Sequence, residues 1–232
     1  GKTDSSAPFF CCMSVFDPHS PYTNYPEIMA ELIDSGALPP VVAADQSLEG
    51  RPIAHEMELR WGTKVPDSET LAAWRVGYHA AITLIDTQVG LVLDVLESQG
   101  LRDNTLVIFT SDHGDMMGDH GLMTKGAYFY DACTRVPMVV RNPDSTGDGV
   151  VSAPCQLHDI AGTCLRAAGQ GDDEIAEWSP DGVGLLDLAG LQERNRAACL
   201  YRNSGSCSKP ESGYRGYFDP PIYGTMWFEP PY

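Results

Sequence analysis

At 232 residues and 43% hydrophobic composition, the chain can bury a real core and has room for one large domain or one and a half. A formal charge of −17, with 15 Lys and Arg against 32 Asp and Glu and no basic run, argues against a nucleic-acid partner. No uninterrupted stretch approaches the roughly 20 apolar residues of a membrane span, and seven cysteines without a Cys-x-x-Cys pair read as mostly free thiols.

From Pro8 to Phe16 an unbroken apolar run has the length and composition of a strand, with Cys11 and Cys12 as small buried hydrophobes. Asp17-Pro18-His19-Ser20-Pro21-Tyr22 breaks it, and the two prolines limit the directions in which His19 can point. Taken alone, a histidine there is more often structural than chemical. Residues 23–66 are rich in Pro, Gly and acids, and read as an irregular surface excursion with one helical patch over Pro26–Ile33. His55 and Glu56 fall in it as solvated loop residues.

Asp67-Ser68-Glu69 then opens a helix. Leu71, Trp74, Tyr78, Ile82, Ile85, Val89, Val92 and Leu96 recur at spacings of three and four, and Gly100 followed by Leu101 ends it. Thr105–Thr110 is short, apolar and β-branched, which predicts a buried strand, with the helix as a right-handed crossover into a parallel sheet.

Where that strand stops stands the densest motif, Ser111-Asp112-His113-Gly114-Asp115-Met116-Met117-Gly118-Asp119-His120-Gly121, closed by Lys125-Gly126. Ligands in open α/β sheets lie outside the carboxyl ends of strands. In a continuing strand Asp112 and His113 would face opposite ways. Gly114 permits a sharp turn, so that a carboxylate and an imidazole can converge on one cation. That donor pair suits Mn²⁺ or Zn²⁺ by softness, and Ca²⁺ or Mg²⁺ if oxygen ligands complete the shell. In so acidic a chain, Lys125 and the ion would have to attract an anionic substrate locally.

Arg135–Val140 reads as another strand, with Arg135 paired to Asp131. Gly171–Pro180 is expected to be an acidic loop. Strands are expected from Ala197, one of them Cys199-Leu200-Tyr201, before an aromatic tail.

Ser-Asp-His-Gly-Asp, Gly-Asp-His-Gly, Lys-Gly, Tyr130-Asp131 and Arg135-Val136-Pro137-Met138-Val139-Val140, in this order and spacing, resemble the second half of the sulfatase family of the alkaline-phosphatase superfamily. The resemblance implies an α/β fold, a mixed and mainly parallel sheet flanked by helices, incomplete here. It also makes Val150–Gly169 a short strand and a helix, which Asp159 and Thr163 would cap, and Asp181–Leu186 a connector toward a smaller domain. Residues 1–190 would form a partial catalytic domain and 191–232 the start of a smaller α+β domain. It makes Asp112 and His113 two of four protein ligands of one divalent ion, usually Ca²⁺, with Mn²⁺ or Mg²⁺ as alternatives. It places Lys125 on the sulfate group and His19, in its Asp-Pro-His-x-Pro loop, at the leaving group of a small anionic sulfate ester. All four side chains should then face one hollow.

Sulfatases also carry a Cys-x-Pro-x-Arg or Cys-x-Ala-x-Arg motif whose Cys, or Ser, becomes formylglycine. No Cys or Ser of this chain fits it. The expectation is therefore a fragment, inactive alone, with formylglycine in a preceding N-terminal part and an uncovered sheet flank that invites self-association. Two other readings stay open: a phosphodiester or phosphonate monoester hydrolase on the same scaffold, and a non-catalytic anion-binding chain.

Overall fold

The computed structural model describes residues 7–43, 53–126, 128–145, 149–153, 155–179, 182, 184–186, 199–203 and 222–226. Cys207, most of the aromatic tail and part of the predicted connector lie outside them. The chain divides into two compact units, Gly1–Pro39 with Pro66–Val95 and Pro40–Val65 with Leu96–Tyr232.

The first unit holds α1 (Glu27–Glu31), within the predicted helical patch, and most of the long helix α3 (Ser68–Ser98). Asp67 caps α3 as predicted. Its Oδ1 accepts the Thr70 and Glu69 amides at 2.9 and 3.1 Å, and its Oδ2 accepts the Thr70 hydroxyl at 2.9 Å. The Thr70 bonds favour the carboxylate and hold the Asp67 pKa below its ordinary value. The buried face of α3 consists of Gly77, Ala80 and Ala81, and Tyr22 packs into the space these small residues leave. Its ring, 5% exposed, lies 5.8 Å from that of Trp74 and 6.1 Å from that of Tyr78.

One expectation for this unit is corrected. Residues 8–16 form no strand: Phe9, Phe10, Met13, Val15 and Phe16 are exposed, as are Cys11 and Cys12. A strand exists only through a hydrogen-bonding neighbour, and none is paired with this run among the described residues. By length and composition alone, α3 is also long and apolar enough to cross a membrane, with 11% of that stretch buried. Counting unbroken apolar runs misses it because Arg75, His79 and Asp86 are interspersed.

In the second unit α3 ends as expected. Gly100 takes φ +67°, its amide reaches the Glu97 carbonyl and the Leu101 amide reaches that of Leu96, both at 2.9 Å. The unit adds α2 (Ile53–Trp61), β1 (Val107–Thr110), α4 (Asp131–Thr134), β2 (Met138–Arg141), α5 (Asp159–Ala167), α6 (Asp172–Trp178), β3 (Cys199–Asn203) and β4 (Ile222–Met226). The two β pairs described, β1–β2 and β3–β4, are both antiparallel. The predicted mainly parallel sheet is thus absent among the described residues. A crossover helix yields a parallel pair only when the preceding run is itself a strand of that sheet, and residues 8–16 are not. Nor is β1 buried, since Phe109 is 39% exposed.

Three further differences are local. α2 occupies part of the expected irregular excursion, its Ile53, Met57 and Trp61 recurring every four residues. α6 replaces the acidic loop: three acids in its first turn, Asp172, Asp173 and Glu174, suit a helix N-terminus. Neither Asp159 nor Thr163 caps α5. Buried Asp159 accepts the upstream Gln156 amide at 2.7 Å, while Thr163 donates to the Asp159 carbonyl and accepts the Leu185 amide, each at 2.7 Å. The Arg135–Asp131 pair is present at 3.8 Å, too exposed to contribute much stability.

Candidate active site

The loop after β1 is built on a small apolar cluster, Met116, Leu122, Tyr128 and Cys133, packed by Leu59, Tyr130 and Ala132. Its turn is closed by backbone bonds from Met117 N to Met123 O at 2.9 Å and Gly118 N to Leu122 O at 2.8 Å, with Met117 and His120 left-handed. Asp119 and His120 then grip Val42 from both sides: Asp119 Oδ1 accepts the Val42 amide, and the His120 amide donates to the Val42 carbonyl, each at 2.8 Å.

Gly114 has a steric reason to be glycine. A Cβ there would lie 2.0 Å from the Ala132 carbonyl oxygen. The close approach lets the Gly114 amide donate to the Cys133 carbonyl at 2.9 Å, which fixes the turn just after the candidate ligands.

Those ligands converge. Asp112 Oδ2 and His113 Nε2 are 3.6 Å apart. The Asp112 side chain is 84% exposed and that of His113 34%. Asp112 Oδ1 is occupied by the His113 amide at 2.9 Å, and the Ser111 hydroxyl donates to the His113 carbonyl at 2.9 Å. His113 Nδ1 is 3.0 Å from the Gly114 carbonyl. A carbonyl only accepts, so Nδ1 carries a proton, and in the Nδ1–H tautomer Nε2 presents its lone pair. Two acceptors turned toward each other at this distance fit a shared cation, and anchoring the second ring nitrogen is the usual way a histidine ligand is oriented. Among the described residues no group of three or more His, Cys, Asp or Glu side chains forms a complete cation cage, so the pair fits part of a shell.

Lys125 sits in the same unit, on the far leg of the loop. The Thr124 carbonyl before it accepts the Tyr128 hydroxyl at 2.6 Å and the Cys133 thiol at 3.8 Å. Cys133 therefore holds both legs, one by its carbonyl and one by its sulfur. The residue is 5% exposed. Burial first, then the Asp115 carboxylate, push its pKa up to about 12, with Lys125 acting in the opposite sense.

His19 belongs to the other unit, and the structure describes it there by itself. Its Nδ1 is 2.8 Å from the Ser20 carbonyl, which only accepts, so Nδ1 carries a proton. The Phe16 ring lies against it at 4.6 Å, tilted by 38°. The loop is seated on α3 through Tyr22, whose carbonyl lies 2.0 Å from where a Cβ on Gly77 would be.

Sequence reasoning misplaced one residue of this region. His55 is not a solvated loop residue: it lies on α2, 1% exposed, sharing a 2.6 Å hydrogen bond between its Nδ1 and the Tyr130 hydroxyl. The four-residue apolar recurrence and the Glu56–Arg60 ion pair at i, i+4 were the available helix signal.

The profile of the sulfatase family matches residues 2–170. The chain is 31% identical over 198 residues to an arylsulfatase of Clostridium perfringens, covering 84% of this chain and 40% of that protein. It is also 31% identical to a choline-sulfatase of Rhizobium meliloti, covering 85% and 38%. Among solved structures it resembles the phosphonate monoester hydrolase of Agrobacterium radiobacter, with TM-score 0.69, 27% identity and coverage of 90% and 44%. The corresponding enzyme of Silicibacter pomeroyi gives TM-score 0.67, 25% identity and coverage of 86% and 40%. The chain thus spans about two fifths of the length of the curated relatives it matches.

Proposed function

The chain belongs to the sulfatase family, and from that premise we propose that it supplies part of the site of a metal-dependent sulfate-ester hydrolase. The observation that carries this reading is the convergence of Asp112 Oδ2 and His113 Nε2 at the end of β1. Asp112 and His113 would hold Ca²⁺, or Mn²⁺ or Mg²⁺, as part of its shell, and the ion, when bound, supplies Lewis-acid polarisation of the ester.

Lys125 holds a positive charge on the loop's second leg and neutralises charge that develops on the sulfuryl oxygens. His19, with Nδ1 committed to Ser20, offers Nε2 to the leaving oxygen by hydrogen bond or proton. The nucleophile, formylglycine in this family, is assigned to no residue of this chain.

The likeness to two phosphonate monoester hydrolases supports a second reading, cleavage of phosphonate monoesters by the same residues. Side-by-side rates on 4-nitrophenyl sulfate and an aryl phosphonate monoester, using the product of the open reading frame that encodes this chain, separate the two. Faster sulfate release is expected; a reversed preference favours the second reading, and no hydrolysis of either ester overturns both.

A further inference from the structure

We propose that Tyr130, through its bond to buried His55, is a positioning residue that sets the two legs of the loop carrying His113 and Lys125. The proposal rests on the reading of those residues just given. The Tyr130 ring is stacked on His120 at 4.0 Å and 18°, and its hydroxyl is bound to His55 Nδ1 at 2.6 Å. α2 is thereby tied to the start of α4.

The Tyr130 carbonyl in turn begins α4 by accepting the Cys133 amide at 2.8 Å and the Thr134 amide at 3.1 Å. Cys133 then reaches Gly114 N on one leg and Thr124 O on the other. A displacement of Tyr130 is therefore transmitted through Cys133 to the residue after His113 and to the residue before Lys125. His55 is 1% exposed, so loss of this short bond takes a partner from a buried ring nitrogen, a cost that a displacement of the two rings relieves.

Three variants of the full chain test this: Tyr130→Phe deletes the hydroxyl and keeps the ring stack, His55→Leu deletes its partner, and His55→Asn returns a polar atom near Nδ1. The probes are Mn²⁺ alone, read as paramagnetic broadening of the His113 ring protons, inorganic sulfate, read as shifts of the Lys125 ε-methylene signals, and hydrogen exchange of individual amides. Tyr130→Phe and His55→Leu should weaken the Mn²⁺ and sulfate effects about five- to tenfold. They should also speed exchange of the Gly114 amide about tenfold, while the Met117 and Gly118 amides of the same loop stay within about twofold. His55→Asn should restore all three readouts to within about twofold.

Parent-like values in Tyr130→Phe and His55→Leu overturn the proposal. So does a His55→Asn no better than His55→Leu, or equal acceleration of every loop amide. Should His55→Leu fail to fold by circular dichroism, Tyr130→Phe, one oxygen smaller, decides alone. Absence of His113 broadening in the parent defeats the metal reading instead, and the Gly114 exchange series still decides the role of Tyr130.

Discussion

The Tyr22 carbonyl oxygen occupies the space that a side chain on Gly77 would need, 2.0 Å from the position of its Cβ. Real Cβ atoms do not approach an oxygen so closely, so the loop that bears His19 lies against α3 only because residue 77 is glycine. Gly77→Ala should cost about 1–3 kcal/mol through overpacking against the main chain, despite the better helix propensity of alanine. Urea unfolding measures it, and a stabilised Gly77→Ala would show that the loop does not rest there.

Cys133 makes a prediction about alkali. Its thiol rises from an ordinary value of 9.0 to about 12 in the folded chain. A folded pKa above the unfolded one means that the protection is complete below about pH 9 and is lost as pH climbs toward 12. The full effect is on the order of 4 kcal/mol, from about 1.4 kcal/mol for each pH unit. Cys133→Ala should flatten that part of the stability profile. At pH 8 iodoacetamide should label exposed Cys11 and Cys12 readily, and Cys133 only after unfolding.

Lys125→Ala tests the proposed sulfate contact. In the active enzyme kcat should fall about 10²–10³-fold, the scale of removing one preorganised charge from a developing anion. Stability should move by no more than about 0.5 kcal/mol. Unchanged turnover removes Lys125 from the site.

Two ligands seldom hold a hard cation tightly, so calorimetric titration of the 232-residue chain with Ca²⁺ or Mn²⁺ should show weak binding, with Kd roughly 10⁻⁴–10⁻³ M. Asp112→Asn should weaken it further. Tight stoichiometric binding would mean that other residues of this chain complete the shell.

What could be read in the sequence was local. The Asp67 cap and the end of α3 at Gly100 each depend on residues within one or two turns of chain, and each is found in place. The apolar series of α3 marks the helix but not its buried face, which is Gly77, Ala80 and Ala81, and the need for glycine at 114 is set by Ala132. The sense of strand pairing depends on partners far along the chain. The β1–β2 pairing joins Val107 to Arg141 and Thr110 to Met138, and no periodicity in either segment declares that antiparallel choice. His55 escaped because its burial is decided by Tyr130, 75 residues away. At the site, the acid and imidazole were legible as a pair, whereas the grip of Cys133 on both legs was not. A cysteine in a short helical turn carries no signal of which carbonyls it will meet.

The commitment of His113 Nδ1 to the Gly114 carbonyl has an evolutionary corollary. An asparagine at position 113 would bring its amide oxygen roughly to where Nδ1 now stands, close to the main chain. Imidazole instead projects its available nitrogen one ring-width outward. Exchanging one for the other in the course of evolution would therefore move the donor atom itself rather than merely alter its affinity for a cation.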